Sequence, residues 1–562
     1  MKIKLMVFPV FLSVIWGCAN VNQSADVSNF IAAGKAIDLF INDLMHDQQI
    51  PGYTISITNK DSLIFSKSYG YADLKLRKKV NSATLFQIGS ITKSFTAIAL
   101  MQLFDEGKFD PNLPLSNYLG WFHINDDNPP VTGHHLLTHT SGIISSNDGI
   151  YPSPALGISA GQLNTSWEPG EKFHYSNVGY SILHLLIEHL SGMAYRDYVQ
   201  ENIVQPLGMH STNVGITMES RGLQAIGYVY PFDDRPHHSS RDLVEATFFE
   251  YGLGDGCIQT TSEDMAKYIQ MLINRGTYSG IRIISEEAFN LFTGLSSQHP
   301  SNDWYQYGIN VTQNGNEILL AHSGGMVAFN SRMLVDISNE IGVFVSANTQ
   351  FGSVYEVSDY LMQVTKSLFE GKDLPTCEKK TTSSHLAHDE YFGKYVGRNG
   401  KAIIVHAEND SLVIDAENER ITLHQIDSAK FYTPKLGFDL YYWTFSKLDS
   451  TGLFKLVYGD QVFLPSTHSE NIDNNLRVEW KDFTGKYRSY SPWLSYFEVI
   501  QREGELKLIA GYWGEMNLIE VSNTRFKIND PDSPGYIEFV REINGHVLKA
   551  NLSGHTFYWL GI

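Results

Sequence analysis

The 562-residue chain changes its hydrophobic pattern once, at a polar segment that covers residues 370–389. Before this segment, apolar residues recur at helical spacing in some stretches and alternate as in strands in others. After it the helical spacing disappears, and short strand patterns are separated by Asn, Asp and Gly. We therefore predict a mixed α+β part, a linker and an all-β part, in that order.

The first predicted domain covers residues 25–368. Helical patterns precede an antiparallel sheet, which the two opening strands can join, and this order predicts an α+β layered fold. The predicted helices lie at 30–45, 90–106, 177–191 and 263–274, the last with Ser262 as its N-cap. The predicted strands lie at 53–58, 63–71, 317–322, 329–337 and 342–348.

The predicted linker covers residues 369–388. The part of the chain that follows it contains a weak internal repeat. The tripeptide GKY at 393–395 returns at 485–487. Each copy carries roughly eight strand candidates, and closure into a barrel would remove the exposed edges. We predict two small antiparallel β-barrel domains at 389–470 and 478–562, with one unit of two sheets as the alternative.

The N-terminus has the pattern of an export signal. A basic start at residues 1–4 precedes an uncharged apolar run over 5–16, which is shorter than the ~20 residues of a membrane-spanning helix. The run ends at Gly17-Cys18, which resembles the signal of a bacterial lipoprotein, in which Cys18 becomes the lipidated first residue. We predict a signal peptide over 1–18 and a cell-envelope location, periplasmic or membrane-anchored. A plain signal peptide with an incidental cysteine is the alternative.

The charge limits the partners of the chain. Its formal net charge is −19, and a surface this acidic repels nucleic acid and anionic lipid headgroups. We therefore expect membrane contact only through a lipid anchor.

The cysteines and histidines do not indicate a metal or a disulfide framework. Of the three cysteines, Cys257 and Cys377 can pair in an oxidising compartment, but nothing in the sequence requires it. The histidines at 134–135, 139 and 237–238 lack metal-site spacing, so we interpret them as loop or structural residues. We predict neither a metal nor a cofactor.

The first candidate for chemistry is the pair Ser90 and Lys93 in the sequence GSITKSF. Ser90 lies at the start of a predicted helix, and Lys93 projects from the same face one turn later. The helix N-terminus favours negative charge on the serine oxygen. A lysine accepts the serine proton only when it is neutral, which requires a buried site. Taken alone, the pattern also fits a serine N-cap beside an exposed lysine.

Two further motifs can complete such a site. Tyr175 and Asn177 stand two residues apart, so an extended backbone would direct both to one cleft, where the tyrosine can relay a proton and the amide can hold a carbonyl. In His322-Ser323-Gly324-Gly325, the glycines would let a substrate backbone approach the strand, and a backbone N–H there could form an oxyanion hole with that of Ser90. A core tyrosine, an asparagine N-cap and a glycine turn are the structural alternatives.

The three motifs in this order resemble the serine β-lactamase and penicillin-binding-protein superfamily, and most closely its class C-like serine hydrolases with D-aminopeptidases and esterases. The stretches LLTHTSG (136–142), PLGM (206–209) and GCIQTTSEDM (256–265) support this resemblance. It implies a β-lactamase/transpeptidase-like fold for about residues 30–368, an antiparallel sheet with flanking helices and a helical subdomain. The C-terminal part resembles the lipocalin-like barrels that follow some of these domains.

The resemblance also implies roles. Ser90 would be the acylated nucleophile, Lys93 its proton acceptor, and Tyr175 the relay to the leaving group. Asn177 would orient the substrate amide, and Gly325 would donate the second oxyanion N–H.

His322 departs from the lysine that many members carry at this position. A histidine with its ordinary pKa of about 6.5 is mostly neutral at pH 7, so it clasps a substrate carboxylate poorly. We therefore predict an acyl-enzyme hydrolase of small peptides, amides or esters: a D-aminopeptidase, a D-Ala carboxypeptidase-like enzyme or an esterase. The alternatives are a cell-envelope binding or scaffold protein with a vestigial catalytic domain, and a weak β-lactamase.

Overall fold

The computed structural model describes the chain from residue 27 to residue 561, with gaps. The gaps are residues 123, 125–127, 144–164, 239–240, 377–388, 399, 410, 417, 449–451, 472–475, 492, 512–513, 534, 543–544 and 554. The predicted signal peptide with Cys18, most of the predicted linker and Cys377 lie outside the described residues. No helix in the described ranges is both long and apolar enough to cross a membrane.

The first domain contains one large antiparallel sheet, and the predicted α+β fold class is confirmed. Its strand order is β11-β12-β13-β14-β15-β1-β2-β3, so the opening strands join the later ones as predicted. Tyr53 on β1 lies opposite Ala347 on β15. The strands of this domain are β1 (Gly52–Asn59), β2 (Leu63–Asp73), β3 (Lys78–Lys79), β4 (Phe86–Gln87), β5 (Asn213–Val214), β6 (Tyr228–Val229), β7 (Val244–Glu245), β8 (Ile258–Thr260), β9 (Thr277–Tyr278), β10 (Ile281–Arg282), β11 (Asp303–Tyr305), β12 (Asn310–Asn314), β13 (Glu317–Met326), β14 (Phe329–Asp336) and β15 (Ile341–Ala347).

Helices cover both faces of this sheet, because successive strand residues point to opposite sides. Val343 and Val345 pack with the first and last helices of the domain, while Phe344 between them faces the core that contains α6. The described helices are α1 (Val27–Gln48), α2 (Thr92–Asp105), α3 (Gly133–Leu137), α4 (Asn177–Ser191), α5 (Tyr195–Val199), α6 (Ser262–Ile273), α7 (Glu286–Thr293) and α8 (Val354–Glu370).

The N-cap predicted for α6 is wrong by one residue. Thr261 caps the helix, since its side chain accepts a hydrogen bond from the backbone N–H of Asp264 at 3.3 Å. Ser262 lies inside the helix, and its hydroxyl accepts a hydrogen bond from Thr54 of β1 at 2.7 Å. Local propensity favours Ser262 as the N-cap, but its hydroxyl is used instead in a buried contact with the sheet.

Helix α2 runs through the middle of the first domain. Phe95, Ile98 and Met101 have no exposed surface, and the helix packs against α4, α5 and α7. A helix that is apolar on nearly all sides must be buried all round. This burial carries the first turn of α2, with Lys93, into the protein interior.

The C-terminal part forms two closed eight-stranded antiparallel barrels, as predicted, and the alternative of a single two-sheet unit is wrong. Pairing of β16 with β23 closes the first barrel and pairing of β24 with β31 closes the second. The first barrel consists of β16 (Gly393–Gly397), β17 (Ala402–Glu408), β18 (Ser411–Ala416), β19 (Glu419–Asp427), β20 (Lys430–Tyr432), β21 (Trp443–Lys447), β22 (Phe454–Tyr458) and β23 (Gln461–Pro465). The second consists of β24 (Gly485–Arg488), β25 (Tyr496–Arg502), β26 (Glu505–Ala510), β27 (Gly514–Ser522), β28 (Arg525–Ile528), β29 (Tyr536–Arg541), β30 (Val547–Leu552) and β31 (His555–Gly561).

Strand β13 continues through the predicted glycine motif to Met326, so the alternative of a strand that ends at a glycine turn is wrong. At Gly324 a β-carbon would lie 1.8 Å from the carbonyl oxygen of Ile88. The missing side chain of Gly324 thus makes room for the backbone just before Ser90, and not for a substrate. At Gly325 nothing lies within 4 Å of an added β-carbon.

Gly324→Ala should therefore destabilise the first domain, whereas Gly325→Ala should not. Overpacking against a backbone carbonyl costs about 2–3 kcal/mol, so we expect Gly324→Ala to lower the thermal unfolding midpoint of this large domain by about 3–4 °C. Differential scanning calorimetry of both variants tests this contact. Equal midpoints for the two variants would show that β13 is not packed this closely.

Candidate active site

Ser90 and Lys93 meet at the entrance to α2. Ser90 lies in a 3-10 turn, Gly89–Ile91, that leads into the helix, and Ile91 rather than the serine occupies the N-cap position. The side-chain nitrogen of Lys93 lies 3.0 Å from Ser90 Oγ, and Lys93 has no exposed surface. The alternative of a capping serine beside an exposed lysine is therefore wrong. The pair has the geometry to pass a proton from the hydroxyl to the amine.

The protein surrounds the Lys93 nitrogen with neutral groups. It donates a hydrogen bond of 2.8 Å to the backbone carbonyl of Asp255. It also lies over two aromatic rings, 4.9 Å from the centroid of Tyr175 and 5.6 Å from that of Tyr180. These contacts hold the nitrogen against Ser90 from several sides.

Asp255 adds a buried carboxylate to this cluster, and no sequence motif indicated it. Burial raises the pKa of Asp255, while the charge of Lys93 and a hydrogen bond from Tyr251 oppose this rise. The Tyr251 hydroxyl lies 2.8 and 2.9 Å from the two carboxylate oxygens. A lone aspartate between glycines carries no sequence signal that separates it from a turn residue.

Tyr175 and Asn177 flank the residue that caps α4. Ser176 is the N-cap, since its Oγ accepts from the backbone N–H of Gly179 at 3.2 Å, so the alternative of an asparagine N-cap is wrong. Because Ser176 turns inward, its two neighbours project to the other side. Tyr175 and Asn177 accordingly line cavities that contain Ser90.

The ring of His139 packs against the ring of Tyr175. The sequence indicated only a loop or structural role for this histidine. Its ring centroid lies 4.2 Å from that of Tyr175, and its Nδ1 accepts the backbone N–H of Ser176 at 3.0 Å. Burial, and next the charge of Lys93, lower the pKa of His139 well below its ordinary value. The ring is therefore neutral and carries its proton on Nε2.

His322 is held neutral in one tautomer. Its Nδ1 lies 2.6 Å from the carbonyl oxygen of Ser323, which only accepts, so Nδ1 carries the proton. Its Nε2 then accepts from the hydroxyl of Tyr305 at 3.0 Å. Burial, and next the charge of Lys93, lower the pKa of His322 to about 3. The pKa lies below the ordinary value of about 6.5 because the residue is 4% exposed and both ring nitrogens bond within the protein, so His322 is neutral at pH 7 as expected.

Tyr305 is a further residue that the sequence analysis missed. Besides its bond to His322, its ring lies 4.8 Å from that of His139 and 6.1 Å from that of Tyr175, centroid to centroid. It lies on β11, outside every motif that the sequence offered. Only the pairing of β11 and β12 beside β13 brings it to the site.

The two remaining motif residues differ in what they face. The Ser323 hydroxyl is bonded within the protein, since its Oγ accepts a hydrogen bond from the Tyr355 hydroxyl at 2.6 Å. Gly325 faces open space and abuts the turn of the nucleophile, where an added β-carbon on Gly89 would lie 2.8 Å from the Gly325 nitrogen. The strand edge at Gly325 thus lies directly beside Ser90.

Two cavities meet at Ser90 and Gly325. The smaller, of about 360 Å³, also contains Tyr175, Tyr305 and His322. The larger, of about 480 Å³, contains Asn177 and extends to the second barrel. Among the described residues that line either cavity, there is no arginine or lysine.

Residues 37–364 match the family described as Beta-lactamase. The chain therefore belongs to the beta-lactamase family of serine hydrolases, and the resemblance drawn from its motifs is confirmed.

Known proteins similar to this chain agree with that assignment. Penicillin-binding protein 4* of Bacillus subtilis (strain 168) is 25% identical over an alignment of 437 residues that covers 72% of this chain and 93% of that protein. Protein flp of Staphylococcus aureus (strain MW2) is 27% identical over an alignment of 344 residues that covers 58% of this chain and 65% of that protein. The solved structure of the octameric penicillin-binding protein homologue from Pyrococcus abyssi covers 77% of this chain and 99% of its own, with 28% identity and a TM-score of 0.54.

The neutral state of His322 predicts a specific dependence of stability on pH. Its pKa is about 3 in the folded protein, against 6.5 as its ordinary value, so the unfolded chain binds the proton more strongly. This contribution to stability is complete above pH 6.5 and is lost as the pH falls towards 3. Between pH 6.5 and 5.0 the wild-type protein should lose about 1.5 kcal/mol through this group, and His322→Gln should remove that loss.

Urea denaturation of the first domain at the two pH values measures this difference. His46→Gln, at an exposed histidine, is the matched control and should keep the wild-type dependence. If His322→Gln also keeps it, the histidine is not buried in its neutral form.

Proposed function

We propose that the chain hydrolyses amides and esters through an acyl-enzyme on Ser90, and that its leaving groups carry no carboxylate. The observation that carries this proposal is the 3.0 Å contact between Lys93 Nζ and Ser90 Oγ at the junction of the two cavities. A buried amine in hydrogen-bond reach of a serine is the arrangement that activates a hydroxyl nucleophile.

In the proposed reaction, Ser90 Oγ attacks the substrate carbonyl carbon while Lys93, as the neutral amine, takes the hydroxyl proton. The oxyanion accepts hydrogen bonds from the backbone N–H groups of Ser90 and Gly325. The bond to the leaving group breaks as that group receives a proton through Tyr175, which leaves an acyl ester on Ser90. A water then attacks this ester and gives a proton to the same relay. The bond between the acyl carbon and Ser90 Oγ breaks, the relay returns the proton to Ser90 Oγ, and the acid is released.

The charges around Ser90 support amide, peptide and ester substrates over carboxylate-bearing ones. His322 is neutral, with both ring nitrogens bonded within the protein. The cavity that contains Tyr175 has no arginine or lysine among its described residues to pair with a substrate carboxylate. We therefore favour a D-aminopeptidase, amidase or esterase over a D-Ala carboxypeptidase or an efficient β-lactamase.

Labelling by a fluorophosphonate probe tests the nucleophile. Ser90→Ala should abolish labelling, because the probe forms its bond with the activated serine oxygen. Ser211→Ala, at an exposed serine away from the cavities, is the matched control and should be labelled like the wild-type protein. Undiminished labelling of Ser90→Ala would falsify the assignment.

Intact-mass measurement of acyl-enzyme then compares the leaving groups. We expect acylation by D-aminoacyl amides or short esters to exceed that by D-Ala-D-Ala peptides by at least about tenfold, since one unpaired charge in such a site costs more than one factor of ten. The reverse order would contradict the proposed role of the neutral His322.

For the location we propose export and a lipid anchor on Cys18, supported by the N-terminal sequence pattern. Cells grown with an alkyne fatty acid should label the wild-type protein but not Cys18→Ser. Cys257→Ser, at a buried cysteine, is the control that should retain the label. Equal labelling of all three proteins would contradict the anchor.

A further inference from the structure

One end of the second barrel forms a wall of the larger cavity at Ser90. From that barrel, Trp493, Met516, Ile528, Leu552 and Phe557 line it. No described residue of the first barrel lines either cavity at the nucleophile. The two barrels share a fold, but only the second contributes to the site.

Direct contacts hold the second barrel in this position. Arg488 donates to the carboxylate of Asp233 at 3.1 Å, and the Ser495 hydroxyl donates to the same carboxylate. The Trp493 ring lies 6.0 Å from that of Phe249 in the first domain, centroid to centroid. The end of the barrel is thus fixed over the nucleophile by a loop of the hydrolase domain.

A substrate carbonyl bound at Ser90 would lie where the two cavities meet, with one cavity on each side of it. Tyr175 lines only the smaller cavity, and Asn177 lines only the larger one. A proton that passes through Tyr175 has to reach the leaving atom, so the leaving group lies in the smaller cavity. The acyl part of the substrate then extends into the larger cavity, towards the barrel.

The chemistry of the larger cavity changes along this direction. Near Ser90 it is polar, with the amide of Asn177 and the backbone of Gly325. At the barrel end six large apolar side chains line it, and the polar residues there are Ser491, Ser533, Ser553 and His555. Asp255 is the one carboxylate among the described lining residues, and both of its oxygens accept from Tyr251. An apolar group gains free energy by leaving water for such a surface, and a charged group loses it.

We propose that this chamber binds the acyl group of the substrate, and that it selects a medium-length apolar acyl chain. The inference rests on the proposed function and narrows it to an esterase or amidase, because the acyl group of a D-aminopeptidase substrate carries a charged amine. Its volume of about 480 Å³ lies within the range of cavities that enclose small organic ligands. The second barrel is therefore a specificity element of the hydrolase.

A series of p-nitrophenyl esters from acetate to octanoate, hydrolysed by the full chain, tests this. Each buried methylene favours binding about three- to fourfold, so with partial burial kcat/KM should rise on the order of 100-fold across the series. A flat or falling series for the wild-type protein would overturn the proposal.

Substitution within the chamber tests its location. Met516→Trp fills space on β27 and should lower the octanoate-to-acetate ratio of kcat/KM at least about tenfold. Val521→Trp is the matched control, because this residue lies on the same strand but is 59% exposed and lines neither cavity. An unchanged ratio in a folded Met516→Trp protein contradicts the proposal.

If Met516→Trp does not fold, as judged by circular dichroism and its thermal midpoint, Ile528→Ala replaces it. This variant enlarges the chamber and, in a series extended from octanoate to dodecanoate to include the optimum, should move the preferred chain length upwards by at least one carbon. An unchanged optimum in Ile528→Ala contradicts the proposal in the same way.

Two failures can be told apart. If acetate is not hydrolysed and Ser90 takes no fluorophosphonate, the proposed function fails, and the inference fails with it. If Ser90 turns over acetate but chain length has no effect, only the acyl chamber is wrong.

Discussion

The site depends on one buried contact, between the Lys93 side-chain nitrogen and Ser90 Oγ. A lysine without exposed surface is costly unless its nitrogen has partners, and here the Asp255 carbonyl, the Ser90 hydroxyl and two aromatic rings supply them. The burial comes from α2, which is apolar on nearly all sides and passes through the centre of the first domain. The same packing that stabilises the domain thus holds the lysine against the serine.

Apart from the Asp255 carboxylate, the described side chains around this pair are aromatic or uncharged, and burial is again the cause. His139 and His322 both lie beside Lys93, whose charge adds to burial in disfavouring their protonated forms. Tyr305 fixes the tautomer of His322 by donating to its Nε2. His322 therefore presents a neutral ring beside the nucleophile, and this supports leaving groups without a carboxylate in the proposed reaction.

Local sequence patterns predicted much of the architecture correctly. The helix over 177–191 has the predicted bounds, and α2 begins at Thr92, just after the predicted start at Ser90, because a 3-10 turn precedes it. The repeat of GKY at 393–395 and 485–487 predicted two closed barrels. These features follow from apolar periodicity and short-range spacing, which a chain expresses before it folds. Tyr305 and Asp255 could not be found this way, because each approaches Ser90 only through contacts between distant segments.

The sequence by itself determined the order of the domains, the family and the residues beside the nucleophile, since spacing within one helix turn or one strand brings those residues together. Only the tertiary structure decided the ionisation state of His322, the role of Gly324 as a contact for the Ile88 carbonyl, and the position of the second barrel over Ser90. Ionisation depends on burial and on the charges nearby, and the contact between two domains depends on the shapes of folded surfaces. Neither is present in the local pattern of residues along the chain.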